Sequence, residues 1–274
     1  MVEPLLSPRI ASYRFTPPNW RYAPSLRIAA LADLHACYPW MSPERIAAIV
    51  ASANALRPDI IMLLGDYISG MSMITDQVSP EQWSFALSGL AAPLGVHAVL
   101  GNHDWWHDDG AQRRGQGPTV AGSALQCVGV NLLENQAVRI EKDGRAFWLA
   151  GLGDQLAFRP APALGRHSWR GVDDLTGTLR QVKDDAPVIL LAHEPDIFPR
   201  VPQRVSLTLS GHTHGGQIRL LGYSPFVPSR YGNRYAYGHV DEDGRHLIVS
   251  GGLGLSIAPV RFGVRPEIVL IELG

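Results

Sequence analysis

Residues 26–35 read LRIAALADLH, an apolar run broken only by Arg27 that ends abruptly in Asp33 and His35. A short run that is apolar on both faces predicts a buried strand. The pattern returns four times: DIIMLLGD at 59–66, GVHAVLGNHD at 95–104, PVILLAHEPD at 187–196 and VSLTLSGHTH at 205–214. Helical signals fall between these runs. Ser42 is placed as an N-cap with Pro43 at the first helical position, leading into ERIAAIVASANALR. Ile46, Ile49, Val50 and Leu56 fit one face of that helix. A second helix is expected over 80–91, again entered through Ser-Pro, with weaker candidates near 119–128 and 174–183. Strand and helix in alternation indicate an α/β fold.

Further strands are expected at 147–153 (FWLAGLG), at HLIVSG and at EIVLIEL near the C-terminus. The segments 104–118, 154–172 and 219–237 are rich in Gly, Pro, Arg and aromatics and read as loops. Residues 1–25 carry Pro4, Pro8, Pro17, Pro18 and Pro24, and are expected to run extended, as an edge strand, before the main fold. With no internal repeat and no linker, one domain over 1–274 is the expectation.

Of the 274 residues, 46% are apolar and 18% charged, enough for a sizeable core and too little charge for disorder. A formal net charge of −1 favours neither a nucleic-acid polymer nor an anionic membrane. Lys142 and Lys183 are the only lysines and the other 22 basic residues are arginine. Codon usage explains that bias; phosphate recognition by guanidinium forks is the sharper reading. Arg200, Arg204, Arg219, Arg230 and Arg234 all flank the GHTH block. Cys37 and Cys127 match no paired-cysteine pattern. The N-terminus lacks the apolar stretch of a signal peptide, and no run reaches the 18 residues of a membrane span. The expectation is a cytoplasmic protein, or a peripheral or exported one where a leader precedes this chain.

The strand ends carry the chemistry: Asp33-x-His35, Gly65-Asp66, Gly101-Asn102-His103-Asp104, His193 and Gly211-His212-x-His214. In open α/β sheets, ligand sites gather at the carboxyl ends of strands, so five such strands would bring these residues around one crevice. Carboxylate and imidazole together suit Mn, Fe, Zn or Co. Asp33 and His35 alternate across Leu34, and His212 and His214 across Thr213, so an extended backbone would point each pair one way. Asp66, with two oxygens, is the natural bridge between two ions. Any one block occurs by chance, but ionisable groups are costly to bury unpaired, and five blocks in order call for a partner such as a metal.

The ordered set D-x-H, GD, GNHD, H, GHxH resembles the calcineurin-like metallophosphoesterases over roughly residues 26–273, and its wider wording is similar to the bacterial YaeI/YkuE type. The resemblance implies a four-layer αββα sandwich of two mixed β-sheets flanked by helices. It implies two divalent ions, one on Asp33, His35, Asp66 and His214, the other on Asp66, Asn102, His193 and His212, with a bridging hydroxide. By the same resemblance His103 stabilises charge or protonates the leaving group, and Asp104 orients it. Two ions about 3.5–4 Å apart can activate a bridging water for in-line attack, so no Ser or Cys nucleophile is required. An imidazole near its working pKa suits a departing alkoxide.

The expected activity is phosphodiester hydrolysis on a small-molecule or lipid-linked phosphate ester. A UDP-2,3-diacylglucosamine-type pyrophosphohydrolase and a non-catalytic scaffold are the alternatives, and an exposed apolar groove beside the metals would favour the former. Among neighbouring residues, Tyr67, Trp105 and Trp106 read either as a substrate wall or as packing, and Cys37 as mainly structural. His107, Asp108 and Asp109 read as solvated loop, and His97, His167, His239 and His246 match no ligand block. Gln217 is placed at substrate or as a loop brace. Arg230, Arg234 and Arg261 are candidates for a substrate anion.

Overall fold

The computed structural model describes residues 3–160 and 169–274. Its first six-stranded sheet runs β1 (Arg9–Phe15), β14 (Glu267–Leu273), β2 (Leu26–Leu31), β4 (Ile60–Leu63), β6 (Val96–Ala98), β7 (Asn131–Leu132). The second runs β12 (Gly238–Glu242), β13 (Arg245–Val249), β11 (Val205–Ser210), β10 (Val188–Leu191), β9 (Arg145–Gly151), β8 (Gln136–Lys142). Each sheet is mixed, with a parallel centre. β2, β4 and β6 are parallel neighbours in one, and β9, β10, β11 and β13 in the other. A two-stranded ribbon of β3 (Cys37–Tyr38) and β5 (Asp76–Gln77) lies apart.

Alternate residues of the central strands serve two different cores, as a period of two requires. Ile28, Ala30, Ile60 and Met62 meet Leu149, Ile189, Leu191 and Leu207 between the sheets. Ala29, Leu31, Ile61 and Leu63 face outward onto the helices α1 (Pro43–Ala55), α2 (Pro80–Leu87) and α5 (Val120–Cys127). Behind the second sheet, Leu190, Val205 and Val249 pack on α6 (Leu175–Arg180) and on a 3-10 turn over Pro195–Arg200. Helices, sheet, sheet and helix thus make the four layers. Burial on both faces is why the central strands read as continuous apolar runs.

The helix entries follow local chemistry. Ser42 accepts from Arg45 N with Pro43 behind it, and Ser79 completes a capping box with Gln82 at the start of α2. The segment 104–118 is not the loop its composition suggests: α3 (Asn102–Trp106) and α4 (Asp109–Arg114) occupy most of it. Asp108 is buried rather than solvated, because its carboxylate caps α4 through Ala111 N and also accepts from Val120 N. Residue 167 lies outside the described residues.

Candidate metal centre

Five parallel strands from the two sheets end at one place. Asp33 and His35 follow β2, Asp66 follows β4, and Asn102 and His103 follow β6. His193 follows β10, and His212 and His214 follow β11. Cross-sheet hydrogen bonds lock the two edges together: His193 Nδ1 to Leu64 O at 2.6 Å, and His212 N to Asp33 Oδ1 at 2.9 Å.

The pairs Asp33/His35 and His212/His214 do not converge by strand alternation. β2 stops at Leu31 and β11 at Ser210, and the four residues lie beyond them in the left-handed region, with φ of 55°, 47°, 68° and 52°. Asp66 joins them at φ 59°. Non-glycine residues rarely adopt this conformation, which costs of order 1–3 kcal/mol each, and its concentration at one site is the mark of function imposed on the backbone. Lateral bonds hold the loops there, among them Asp33 N to Gly65 O at 3.0 Å and Gly254 N to Asp33 O at 2.7 Å.

Three groups of side chains come within reach of a single ion: Asp33, His35 and His214; His35, Asp66 and His103; Asp66, His193 and His212. Asp66 Oδ2 lies between the groups, 3.5 Å from His35 Nε2 and 3.2 Å from His193 Nε2. His35 and His214 face each other with Nε2 atoms 3.0 Å apart. Asn102 Oδ1 is 2.8 Å from His212 Nδ1. All seven expected ligands are therefore brought together.

The residues suit a cation. Asp33 Oδ2 is buried without a hydrogen-bond partner, an arrangement that is costly unless a positive charge sits beside it. Three imidazoles are oriented from behind. His35 Nδ1 lies 3.0 Å from Ile68 O, His193 Nδ1 lies by Leu64 O, and His212 Nε2 lies 2.9 Å from Pro228 O. A carbonyl takes the proton of the far nitrogen, so the near nitrogen keeps its lone pair for a metal. His214 differs. Its Nδ1 lies 3.2 Å from Arg261 Nη2 in place of a carbonyl, and its Nε2 faces His35.

Charge follows the same geometry. Burial opposes ionisation of Asp66, yet His193, His103 and His35 outweigh it and hold this carboxyl well below the usual range. His193 is raised well above its ordinary value because the Asp66 carboxylate overcomes the cost of burial. Burial pushes Asp33 up to about 7 and pulls His103 down to about 3. His103 is consequently a neutral ring at neutral pH rather than an imidazole near its working pKa.

Asp104 does not touch His103. Its Oδ2 accepts from Asp66 N and Gly101 N, and its Oδ1 from Tyr67 N and Ile68 N, so it braces two site loops at once. What faces His103 Nδ1, at 3.2 Å, is His107 Nε2, one helical turn on. His107, exposed at the C-cap of α3 as the solvated reading expected, thus also touches the site through His103, and its spacing of four from His103 was the available signal. Arg261, offered by sequence for a substrate anion, is fully buried and donates to Gly251 O, Gly254 O and Val264 O besides His214. Arg230 and Arg234 are paired with Asp196 and Glu242. Gln217 braces, with Nε2 on Ala258 O and Val260 O and Oε1 on Ser256 N. Tyr67 and Trp105 are core, while Trp106 lines the cavity and stacks on Trp169. Cys37 packs with Met71 and Leu255. His97 bonds Leu94 O, and His239 pairs with His246.

The sequence reading also missed Asp154, beyond β9 on the same sheet edge. It is buried against Glu194, the neighbour of His193, and burial and that second carboxyl raise it well above the ordinary range. Its signal was present in LAGLGD, a sixth apolar run ending in Gly-Asp.

A cavity of about 410 Å³ opens over the centre, lined by Asp66, Asn102, His103, His212 and His214 and rimmed by Trp106, Phe226 and Ile257. A room of that size accepts a phosphate ester with a modest substituent.

A family model described as Calcineurin-like phosphoesterase matches residues 26–216. YkuE of Bacillus subtilis, an uncharacterized metallophosphoesterase, is 31% identical over 250 residues, 90% of this chain and 78% of that protein. The phosphodiesterase YaeI of Escherichia coli is 32% identical over 256 residues, 92% of this chain and 83% of that one. Among solved structures, the phosphopantetheinyl hydrolase of Mycobacterium tuberculosis aligns at a TM-score of 0.47 and 14% identity, over 85% of this chain and 91% of the other. Family match and relatives run through the strand ends described above, and the chain belongs to the calcineurin-like phosphoesterases, hydrolases of phosphate esters that bind divalent metals.

Proposed function

We propose that this chain is a dinuclear-metal phosphodiesterase. Asp33, His35, Asp66 and His214 would hold one divalent ion, and Asp66, Asn102, His193 and His212 the other, with Mn, Fe or Zn all suited to the donor set. The observation that carries the reading is Asp66 Oδ2 standing within 3.5 Å of imidazole nitrogens from both groups. A pair of ions so held supplies Lewis acidity toward the phosphoryl oxygens and a water activated for attack.

The chain's own residues do the rest. Asp66 Oδ1 accepts from His103 N at 2.8 Å, which fixes this carboxylate and the start of α3 together. His107 engages Nδ1 of His103, so Nε2 is the ring nitrogen free to meet an oxygen in the cavity. Burial keeps that ring neutral, and its role is an N–H hydrogen bond to charge developing on the phosphoryl or leaving oxygen. In the hydrolysis, the water oxygen bonds to phosphorus and its proton passes to solvent, the bond from phosphorus to the leaving oxygen breaks, and the departing alkoxide takes a proton from solvent to leave as the alcohol. The cavity leaves room for a second ester arm, so it accommodates a diester. Trp106, stacked on Trp169, offers a flat apolar wall for that arm.

The test compares bis-p-nitrophenyl phosphate with p-nitrophenyl phosphate on protein stripped and reloaded with Mn, Zn, Fe or Mg. The expected result is metal-dependent turnover that prefers the diester and falls about 10²–10⁴-fold in His103→Ala with both metals retained. Metal-loaded protein that turns over neither ester would move the assignment to a more demanding pyrophosphate substrate or to a scaffold.

A further inference from the structure

Two loops at the mouth of the cavity present apolar side chains to solvent. Residues 217–226 expose Ile218, Leu220, Leu221 and Tyr223, and residues 256–262 expose Val260 and Phe262. The loops are one unit. Arg219 N bonds Phe262 O at 2.8 Å, Phe262 N bonds Gln217 O at 2.9 Å, and the Gln217 side chain ties down residues 256, 258 and 260. Ile218 bridges Phe262 in parallel and Leu220 bridges Tyr223 in antiparallel register. Residues paired this way, and residues two apart along an extended segment, share a face, so Ile218, Leu220, Tyr223, Val260 and Phe262 form a single surface, with Leu221 at the tip of the turn between Leu220 and Tyr223.

Folding does not use this surface. Leu221 is 99% exposed and sits at φ 49°, a position glycine or asparagine would fill without strain. A patch of large apolar residues on a monomer marks contact with something else. Its position and charge say what. Phe226 and Ile257 continue it down to the cavity wall, so whatever covers the patch lies over the metal centre's entrance. Neither loop carries an Asp or Glu, and of the eight arginines in 197–240 and 244–266 the exposed Arg265 and the half-buried Arg219, which lies within the first loop, make no ion pair among the described residues; five others are paired with carboxylates and Arg261 is buried. Apolar tips backed by arginine and free of carboxylate are complementary to a lipid surface with negative headgroups.

We propose that the loops 217–226 and 256–262 seat this protein on an anionic lipid bilayer, with the mouth of the cavity turned toward the headgroups. This goes beyond the phosphodiesterase reading and does not depend on it. Co-sedimentation of the metal-loaded protein with vesicles of phosphatidylcholine, with and without phosphatidylglycerol, tests it. The expected result is binding that requires phosphatidylglycerol, weakens with salt, and falls about tenfold or more in Leu221→Asp, which loses one leucine's burial and adds a like charge. Turnover of bis-p-nitrophenyl phosphate should be unchanged in that variant, since Leu221 lies outside the cavity. Absence of sedimentation with either vesicle overturns the proposal, and so does binding that Leu221→Asp and Leu220→Ser leave intact. Dimers in solution that Leu221→Asp dissociates would overturn it in favour of a second copy of the chain. Vesicle binding without turnover of either nitrophenyl ester would sustain the surface and count against the phosphodiesterase alone.

Discussion

Asp104 is the residue whose contribution is easiest to misjudge. Four backbone N–H groups from two loops converge on its carboxylate. Asp104→Asn keeps the shape, offers one acceptor oxygen instead of two, and turns an NH2 toward donors. Unpaired buried donors cost about 1–3 kcal/mol each, so a loss of about 2–4 kcal/mol is expected in the unfolding free energy from urea denaturation, and a change under about 1 kcal/mol would contradict the bracing role. His97 gives a clean pH test away from the centre. Burial lowers its pKa, so below about 6.5 the unfolded chain takes a proton that the folded ring refuses. Stability contributed by this group is therefore present above that pH and lost below it. Wild type should lose up to about 1.4 kcal/mol per pH unit relative to His97→Gln as pH falls from 6.5, by chemical denaturation at each pH. Parallel curves would contradict the assignment. The seven ligand candidates were legible one by one because each ends an apolar run. The roles of Asp104 and Arg261 were not, because backbone amides and carbonyls, their only or main partners, leave no mark in a side-chain pattern.

At the scale of the element, the site is a set of turns rather than a set of strands. The five apolar runs predicted the strands, and the Ser-Pro signals predicted α1 and α2. The turns were not legible, since a left-handed Asp or His is written no differently from an extended one; five of them hold the centre. Glycine supplies the room between them. A Cβ on Gly101 would meet Asp66 Oδ1 at 2.4 Å and His193 Cε1 at 2.7 Å. At φ −112° the backbone itself would accept alanine, so space alone is the constraint. Gly101→Ala is expected to push the two ligands apart and weaken metal binding about 10–100-fold, read by titration with Mn or Zn, with helix content unchanged by circular dichroism. Unaltered affinity would show that Asp66 and His193 do not share an ion. Short edge elements such as β7, and the helices α3 and α4, were lost to the sequence because the first is two residues long and the others, five and six residues long, are too short for a helical apolar period to show.

For the whole molecule, two sheets packed face to face bring ligands from residue 33 and residue 214 within 4 Å, a distance no local signal encodes. The apolar runs carried that architecture because each central strand is buried twice, once between the sheets and once under helices or the 3-10 turn. Strain, orphaned polar atoms and histidine orientation then all point into one small volume between the strand ends. The most direct measurement is anomalous diffraction from crystals grown with Mn. Two peaks about 3.5–4 Å apart on either side of Asp66 are predicted, one against Asp33, His35 and His214, the other against Asn102, His193 and His212. A single peak, or ions bound away from Asp66, would contradict the dinuclear assignment.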